Sequence, residues 1–140
     1  MNNEREFQAL LAHLEQDLDG FLGAAFTELA TGRTLAAHCV LPAFDQSAIS
    51  EAGRVALLAQ TTVLASPVQS VEEILITTSE YYHLYQMVSS TVFISVTASR
   101  DKTNLASIRA LTRLRAERIA VERAATASAK KQAALGAEAN

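Results

Sequence analysis

Tryptophan is absent from this 140-residue chain, cysteine occurs once, proline twice, and aromatic side chains make up only 6% of the residues. With Cys39 alone no intramolecular disulfide can form, which excludes a disulfide-stapled scaffold and points to a reducing compartment. Few rings mean that the core must be built from aliphatic side chains, and an apolar content of 49% supplies them. No apolar run approaches the roughly 20 residues of a membrane span. The start, Asn2-Asn3-Glu4-Arg5-Glu6, is polar and acidic with no apolar signal region behind it, so a cytoplasmic location is expected.

Positive charge is scarce over most of the chain. Residues 1–99 hold 11 acidic and 3 basic side chains, a net of −8, whereas residues 100–140 hold 4 acidic and 9 basic, a net of +5. The basic run of Arg100, Arg109, Arg113, Arg115, Arg118, Arg123, Lys130 and Lys131 suits nucleic acid, anionic lipid or an acidic protein surface. A solvated helix face balancing the acidic body is the simpler expectation, so nucleic acid is not an expected partner. The length fits one domain.

Phe7, Leu10, Leu11, Leu14 and Leu18 recur at helical spacing between charged residues, which predicts a first helix lying on the core by one face and stopped by Gly20. Phe21 to Leu29 reads as a strand, and the small residues Gly23, Ala24 and Ala25 imply close packing against it. A turn at Ala30-Thr31-Gly32-Arg33 leads back through a second strand, Thr34 to Cys39. After Pro42, either Asp45 or Ser47 can cap a second helix running to about Ala65. Beyond Arg54 that helix carries no charge, and Val55, Ala56, Leu57, Leu58, Ala59, Val63 and Leu64 surround most of its axis. A helix apolar nearly all round needs burial on more than one side, and one sheet covers only one. A second copy of the same helix across a two-fold axis is the simplest cover.

Val71 to Thr78, Tyr81 to Val88 and Thr91 to Ala98 are rich in β-branched and aromatic residues and joined too tightly for crossover helices, so they form an antiparallel meander. Ser99 or Asp101 then offers a cap to a third helix with a stripe of Leu105, Ile108, Leu111 and Ile119. From Ala125 the alanine-rich sequence has no apolar stripe, which places a domain at 1–124 and a disordered or frayed tail at 125–140. The order is that of an α+β domain.

Little in the chain suggests chemistry, and no catalytic residue, cofactor or metal is expected. Thr31-Gly32-Arg33-Thr34 lacks the second glycine and the lysine of a phosphate-cradling loop. Arg33 or Arg54 is a candidate finger for stabilising a partner's phosphoryl transfer, against the commoner role of a surface arginine. His38 and Cys39 are neighbours on a strand, so their side chains point to opposite faces and cannot chelate together. Tyr81, His83 and Tyr85 share a strand face that suits either stacking of a ligand or packing beneath a helix.

The stretch Leu18 to Ala36, the strand Glu73-Ile74-Leu75-Ile76-Thr77-Thr78-Ser79 and the helix start Asn104-Leu105-Ala106 with Arg109 together resemble the Roadblock (dynein light-chain) family over roughly Glu4 to Arg123. One departure is Ser99, where the family commonly has aspartate. The resemblance implies a five-stranded antiparallel sheet with helices 1 and 3 on one face and helix 2 on the other, a profilin-like layering. It also implies a homodimer joined edge to edge through the third strands with the second helices side by side. The interface expected from that pairing is Ile49, Gly53, Leu57, Gln60, Leu64, Val71, Glu73, Ile74 and Ile76, with Gln46, Ser50, Glu51 and Arg54 as partner-binding residues beside it. In bacterial relatives a small Ras-like GTPase is received there and its hydrolysis stimulated, and eukaryotic relatives scaffold GTPase regulators or dynein cargo, so the resemblance implies a non-enzymatic homodimeric regulator or scaffold that binds such a GTPase; the alternative is a structural adaptor in a sensory, motility or cytoskeletal complex without a GTPase.

Overall fold

The computed structural model describes residues 2–40, 45–64 and 71–138, with their side chains apart from those of 2–3, 64, 118–132 and 137–138. The elements are α1 (Asn2–Asp17), β1 (Phe21–Glu28), β2 (Thr34–Cys39), α2 (Gln46–Leu64), β3 (Glu73–Thr77), β4 (Tyr81–Met87), β5 (Val92–Ser99) and α3 (Leu105–Glu138). The strands form one sheet in the order β2-β1-β5-β4-β3, each neighbour antiparallel. This is the α+β arrangement expected.

Because side chains alternate across a strand, Leu84 and Val96 point to one face while Tyr85 and Phe93 point to the other. On the first face Phe7, Leu10, Leu11, Leu14 and Leu18 of α1 and its end, together with Ile108 and Ala116 of α3, close the main core with Phe26, Leu84, Ile94 and Val96. Phe7 stacks on Phe26 with centroids 4.6 Å apart. Each such aliphatic or aromatic burial contributes about 1.5–3 kcal/mol. The opposite face holds a much smaller apolar cluster of Leu57, Tyr85 and Phe93, and α2 covers it.

Gly20 ends α1 with φ 81° and Gly32 closes the β1–β2 hairpin with φ 77°, a region that side-chain-bearing residues rarely adopt. Asp45 caps α2, its Oδ1 accepting from the Ala48 amide at 3.2 Å. At α3 the expected caps are displaced: Ser99 hydrogen-bonds Asp101 within the preceding turn, and Asn104 Oδ1 accepts from the Ala106 and Ser107 amides. Asparagine sits one residue before the first helical position, where a cap must be, whereas Ser99 still completes β5.

Two boundaries differ from the sequence reading by more than one residue. β3 begins at Glu73 and not Val71, although the Met87 amide still donates to Glu72 O at 2.9 Å. Helix α3 continues to Glu138, past the point at which a disordered or frayed tail was expected. The stretch is mostly alanine, lysine, glutamine and glutamate, strong helix formers with no proline, so it needs no apolar stripe to be helical. Its described side chains, Ala133 to Gly136, are exposed. Pro42 and Phe44 lie outside the described residues.

Candidate functional site

The surface on which α2 lies is small and polar: Gly23 on β1, Ser95 and Thr97 on β5, with His83 on β4 beside them. These residues decide which side of the helix faces inward. Gln46 is 3% exposed and Ser50 1%, and both point into the sheet. Gln46 Nε2 donates to Ser95 Oγ at 3.1 Å, and the Ser50 and Ser95 hydroxyls lie 2.7 Å apart. His83 Nδ1 is 3.0 Å from Thr97 Oγ1, and burial pushes its pKa below the usual value. One turn further along, Gly53 rests against the ring of Tyr85 so closely that any β-carbon would overlap it. The Tyr85 hydroxyl donates to Ile49 O at 2.8 Å, and burial pushes that phenol up to about 12. Leu57 completes the inward face at 1% exposure.

Gln46 and Ser50 are therefore not partner-binding residues, since both are buried against the sheet with Gln46 Nε2 and Ser50 Oγ bonded to Ser95, although Gln46 Oε1 has no hydrogen-bond partner among the described residues. Gly53 and Leu57 are likewise not free for a helix-to-helix contact. Among the remaining expected interface residues, Ile49, Val71 and Ile74 are half-buried together at the edge of the Leu57 cluster, Gln60 is exposed, and Ile76 is 37% exposed. Glu73 is occupied on the other sheet face, accepting from Gln86 Nε2 at 2.8 Å and from Arg109 Nε at 3.1 Å. The Leu64 side chain lies outside the described ones.

Among the residues α2 leaves exposed, Ala48, Ala52, Val55, Ala59 and Val63 are apolar, Val63 at 75% exposure, whereas Ser47, Glu51, Gln60, Thr61 and Thr62 are polar. At 100° per residue, Ile49, Ala52, Ala56 and Val63 form the flank turned toward β3, and Arg54 stands on the opposite flank. Arg54 is tied there, giving two hydrogen bonds to Glu51 at 2.9 and 2.8 Å and reaching Leu29 O at 3.3 Å. The same bonds hold Glu51 below, and Arg54 above, its ordinary pKa. Arg33 is paired with Glu28 at 2.8 Å. Neither arginine is presented as a free finger.

The two sheet edges differ. On β2, Gln8 Nε2 donates to Ala37 O at 3.0 Å, so an α1 side chain occupies an edge acceptor. On β3, the ladder to β4 uses the even-numbered residues, as the Thr78–Tyr81 and Glu72–Met87 bonds show, so the backbone groups of Glu73, Leu75 and Thr77 point away from β4. Among the described residues nothing pairs with these groups, and an edge of this kind is a template for another strand.

Other sequence candidates are separated by the fold. His38 pairs with Glu15 at 2.9 Å on the α1 side, while Cys39 lies beside Gly23 beneath α2. Of the three β4 residues sharing a face, Tyr85 is buried, and Tyr81 and His83 are half-buried with ring centroids 6.1 Å apart. Among the described residues no group of three or more His, Cys, Asp or Glu side chains is arranged to hold a metal ion, and no helix is long and apolar enough to cross a membrane.

No protein-family model matches the sequence, and no curated protein does. Solved structures do match. MglB from Myxococcus xanthus superposes with a TM-score of 0.72 at 10% identity, covering 85% of this chain and 88% of that one. A Roadblock/LC7 domain from Streptomyces avermitilis gives 0.70 at 12% identity over 82% and 95%. The gliding protein mglB from Thermus thermophilus gives 0.69 at 11% identity over 81% and 85%. An open five-stranded antiparallel sheet with two helices on one face and one on the other is thus shared with these proteins. The chain has the Roadblock/LC7 fold.

Proposed function

We propose that this chain is a non-enzymatic homodimeric regulator or scaffold that binds a small Ras-like GTPase and stimulates its GTP hydrolysis. The observation that carries the reading is an exposed apolar strip of α2, formed by Ala52, Val55, Ala59 and Val63, standing beside a β3 edge with which no described residue pairs. Two copies pair antiparallel through the outward backbone groups of Glu73, Leu75 and Thr77, which brings the Ile49, Ala52, Ala56 and Val63 flanks together across the two-fold axis. This seam is rotated outward from the one expected from the sequence, because the sheet claims Gly53 and Leu57. The solvent-facing Ala48, Val55 and Ala59 of both copies then form one continuous surface for the GTPase. With Arg33 and Arg54 engaged internally, the mechanism is surface complementarity that fixes the GTPase's own catalytic groups, not a donated residue.

The burial of Gln46 and Ser50 removes half of the expected polar rim, and this supports a second reading, a structural adaptor without a GTPase. Affinity capture from native lysate at moderate salt separates the two. A retained Ras-like GTPase that hydrolyses GTP faster when the purified chain is added supports the regulator; a retained GTPase with an unchanged rate, or sensory and cytoskeletal proteins in its place, supports the adaptor.

A further inference from the structure

The groups that hold the first turn of α2 to the sheet form a relay in which most members can both donate and accept. Gln46, the first residue of α2, gives its two side-chain N–H bonds to Ser95 Oγ at 3.1 Å and Thr97 Oγ1 at 3.5 Å, and Thr97 Oγ1 lies 3.0 Å from His83 Nδ1. Ser50 joins the other arm through Ser95. Because the Thr97 oxygen accepts from Gln46, its own hydrogen goes to His83 Nδ1, which leaves the proton of the neutral imidazole on Nε2. One acceptor is left over. Gln46 Oε1, in a side chain only 3% exposed, has no hydrogen-bond partner among the described residues and lies against Gly23 beside Cys39.

We propose that His83 is a proton switch acting on α2, whose protonation reverses this relay and turns over the Gln46 amide. An imidazolium has no lone pair left at Nδ1, so it donates to Thr97 Oγ1, and the Thr97 hydroxyl must find another acceptor. The orphaned Oε1 becomes that acceptor once the amide turns over: the Thr97 and Ser95 hydroxyls donate to it, and Ser50 donates to Ser95. The amide nitrogen then faces Gly23 and Cys39, whose sulfur is only a weak acceptor. A buried donor so placed, together with a cation near the positive end of the α2 dipole, loosens the first turns of the helix. Burial of the imidazole keeps the neutral arrangement in force until the pH falls below the ordinary histidine value. The other titratable groups on this side are Tyr81 and Tyr85 of β4, Cys39 of β2, Asp45 at the start of α2 and Glu51 and Arg54 within it, while β1, β3 and β5 turn none toward it. Asp45 caps α2 and Glu51 is paired with Arg54, so neither carboxylate is committed to the imidazolium. Since α2 also carries the seam and partner surface proposed above, acid weakens both; that consequence rests on that reading, whereas the reversal of the relay does not.

NMR on the isotopically labelled full chain, titrated from about pH 8 to about pH 5, tests this. Neutral His83 is expected to carry its proton on Nε2. As it titrates, the Gln46 side-chain amide signals are expected to shift with the same midpoint, and protection of the Ser50 to Gly53 backbone amides against exchange to fall about tenfold relative to α1. In Thr97→Val, which keeps the shape of the side chain and breaks the relay, His83 still titrates but the Gln46 signals no longer follow it. In His83→Gln the Gln46 signals stay constant throughout, and this variant decides the matter where Thr97→Val does not fold. A wild-type Gln46 amide that stays unchanged while His83 titrates, a neutral His83 protonated on Nδ1, or Gln46 signals that still move in His83→Gln overturns the proposal.

Discussion

Replacing Gly53 with alanine should destabilise this protein, although the same change in an exposed helix stabilises by about 1 kcal/mol. The added β-carbon falls within the Tyr85 ring. The ring cannot turn away freely, because it packs edge-on to Phe93 with centroids 6.4 Å apart and its hydroxyl is bonded to Ile49 O. Either α2 lifts from the sheet or the ring moves, and overpacking of this kind costs about 1–3 kcal/mol. Losing the tyrosine hydrogen bond adds about 1 kcal/mol. After the gain in helix propensity, the net loss is about 1–3 kcal/mol, or roughly 3–10 °C in melting temperature for a chain of this size. Thermal unfolding followed by circular dichroism measures it, with Gly136→Ala as the control. Gly136 has no atoms near its missing β-carbon, so that variant should be unchanged or slightly more stable. A Gly53→Ala protein as stable as the wild type would refute the close approach of α2 to Tyr85.

Leu57→Asp should unfold the protein and not merely separate dimers, since it buries a carboxylate where exposure is 1%; loss of the circular dichroism signal reports it, and a folded monomer would contradict it. Stability should also depend on His83. Burial holds its folded pKa below the unfolded value of 6.5, so its contribution is complete above that value and is lost as pH falls through the lower folded pKa. The urea midpoint should therefore fall on acidification below 6.5, and less so in His83→Gln, which cannot take up the proton. Removing residues 125–140 should leave the melting temperature nearly unchanged, because the described side chains there are exposed; a loss of several degrees would mean that the end of α3 is docked.

Amphipathic patterning carried much of the fold. The Phe7 to Leu18 stripe, the glycine turn at Gly32 and the three β-rich runs after Val71 are visible because each buries one face against solvent on the other. Helix α2 offered no such contrast. Apolar nearly all round, it can be rotated without changing its pattern, and residues at 49, 53, 57, 60 and 64 looked as suitable for a partner as any others. Its orientation is set by the sheet beneath, where Ser95 and Thr97 alternate with Val96 and leave a polar surface beside Gly23. That alternation, read against Gln46, Ser50, Gly53 and Leu57 at helical spacing, is the signal that identifies the inward face. The β3 edge was legible only through resemblance, because edge position depends on strand order and not on the strand's own residues.

Disulfide trapping across α2 tests the central claim, that two copies meet along the outward flank of this helix. Cys39 is the one native cysteine, so Cys39→Ser provides a background in which Ala52→Cys, Ala56→Cys or Val63→Cys can each be introduced alone. A disulfide requires α-carbons about 4.4–6.8 Å apart. Rapid linkage into covalent dimers at Ala52 or Ala56, with none at Ser47 on the opposite flank, is the predicted result. Equal linkage at both flanks, or none at any position along the seam, would contradict it.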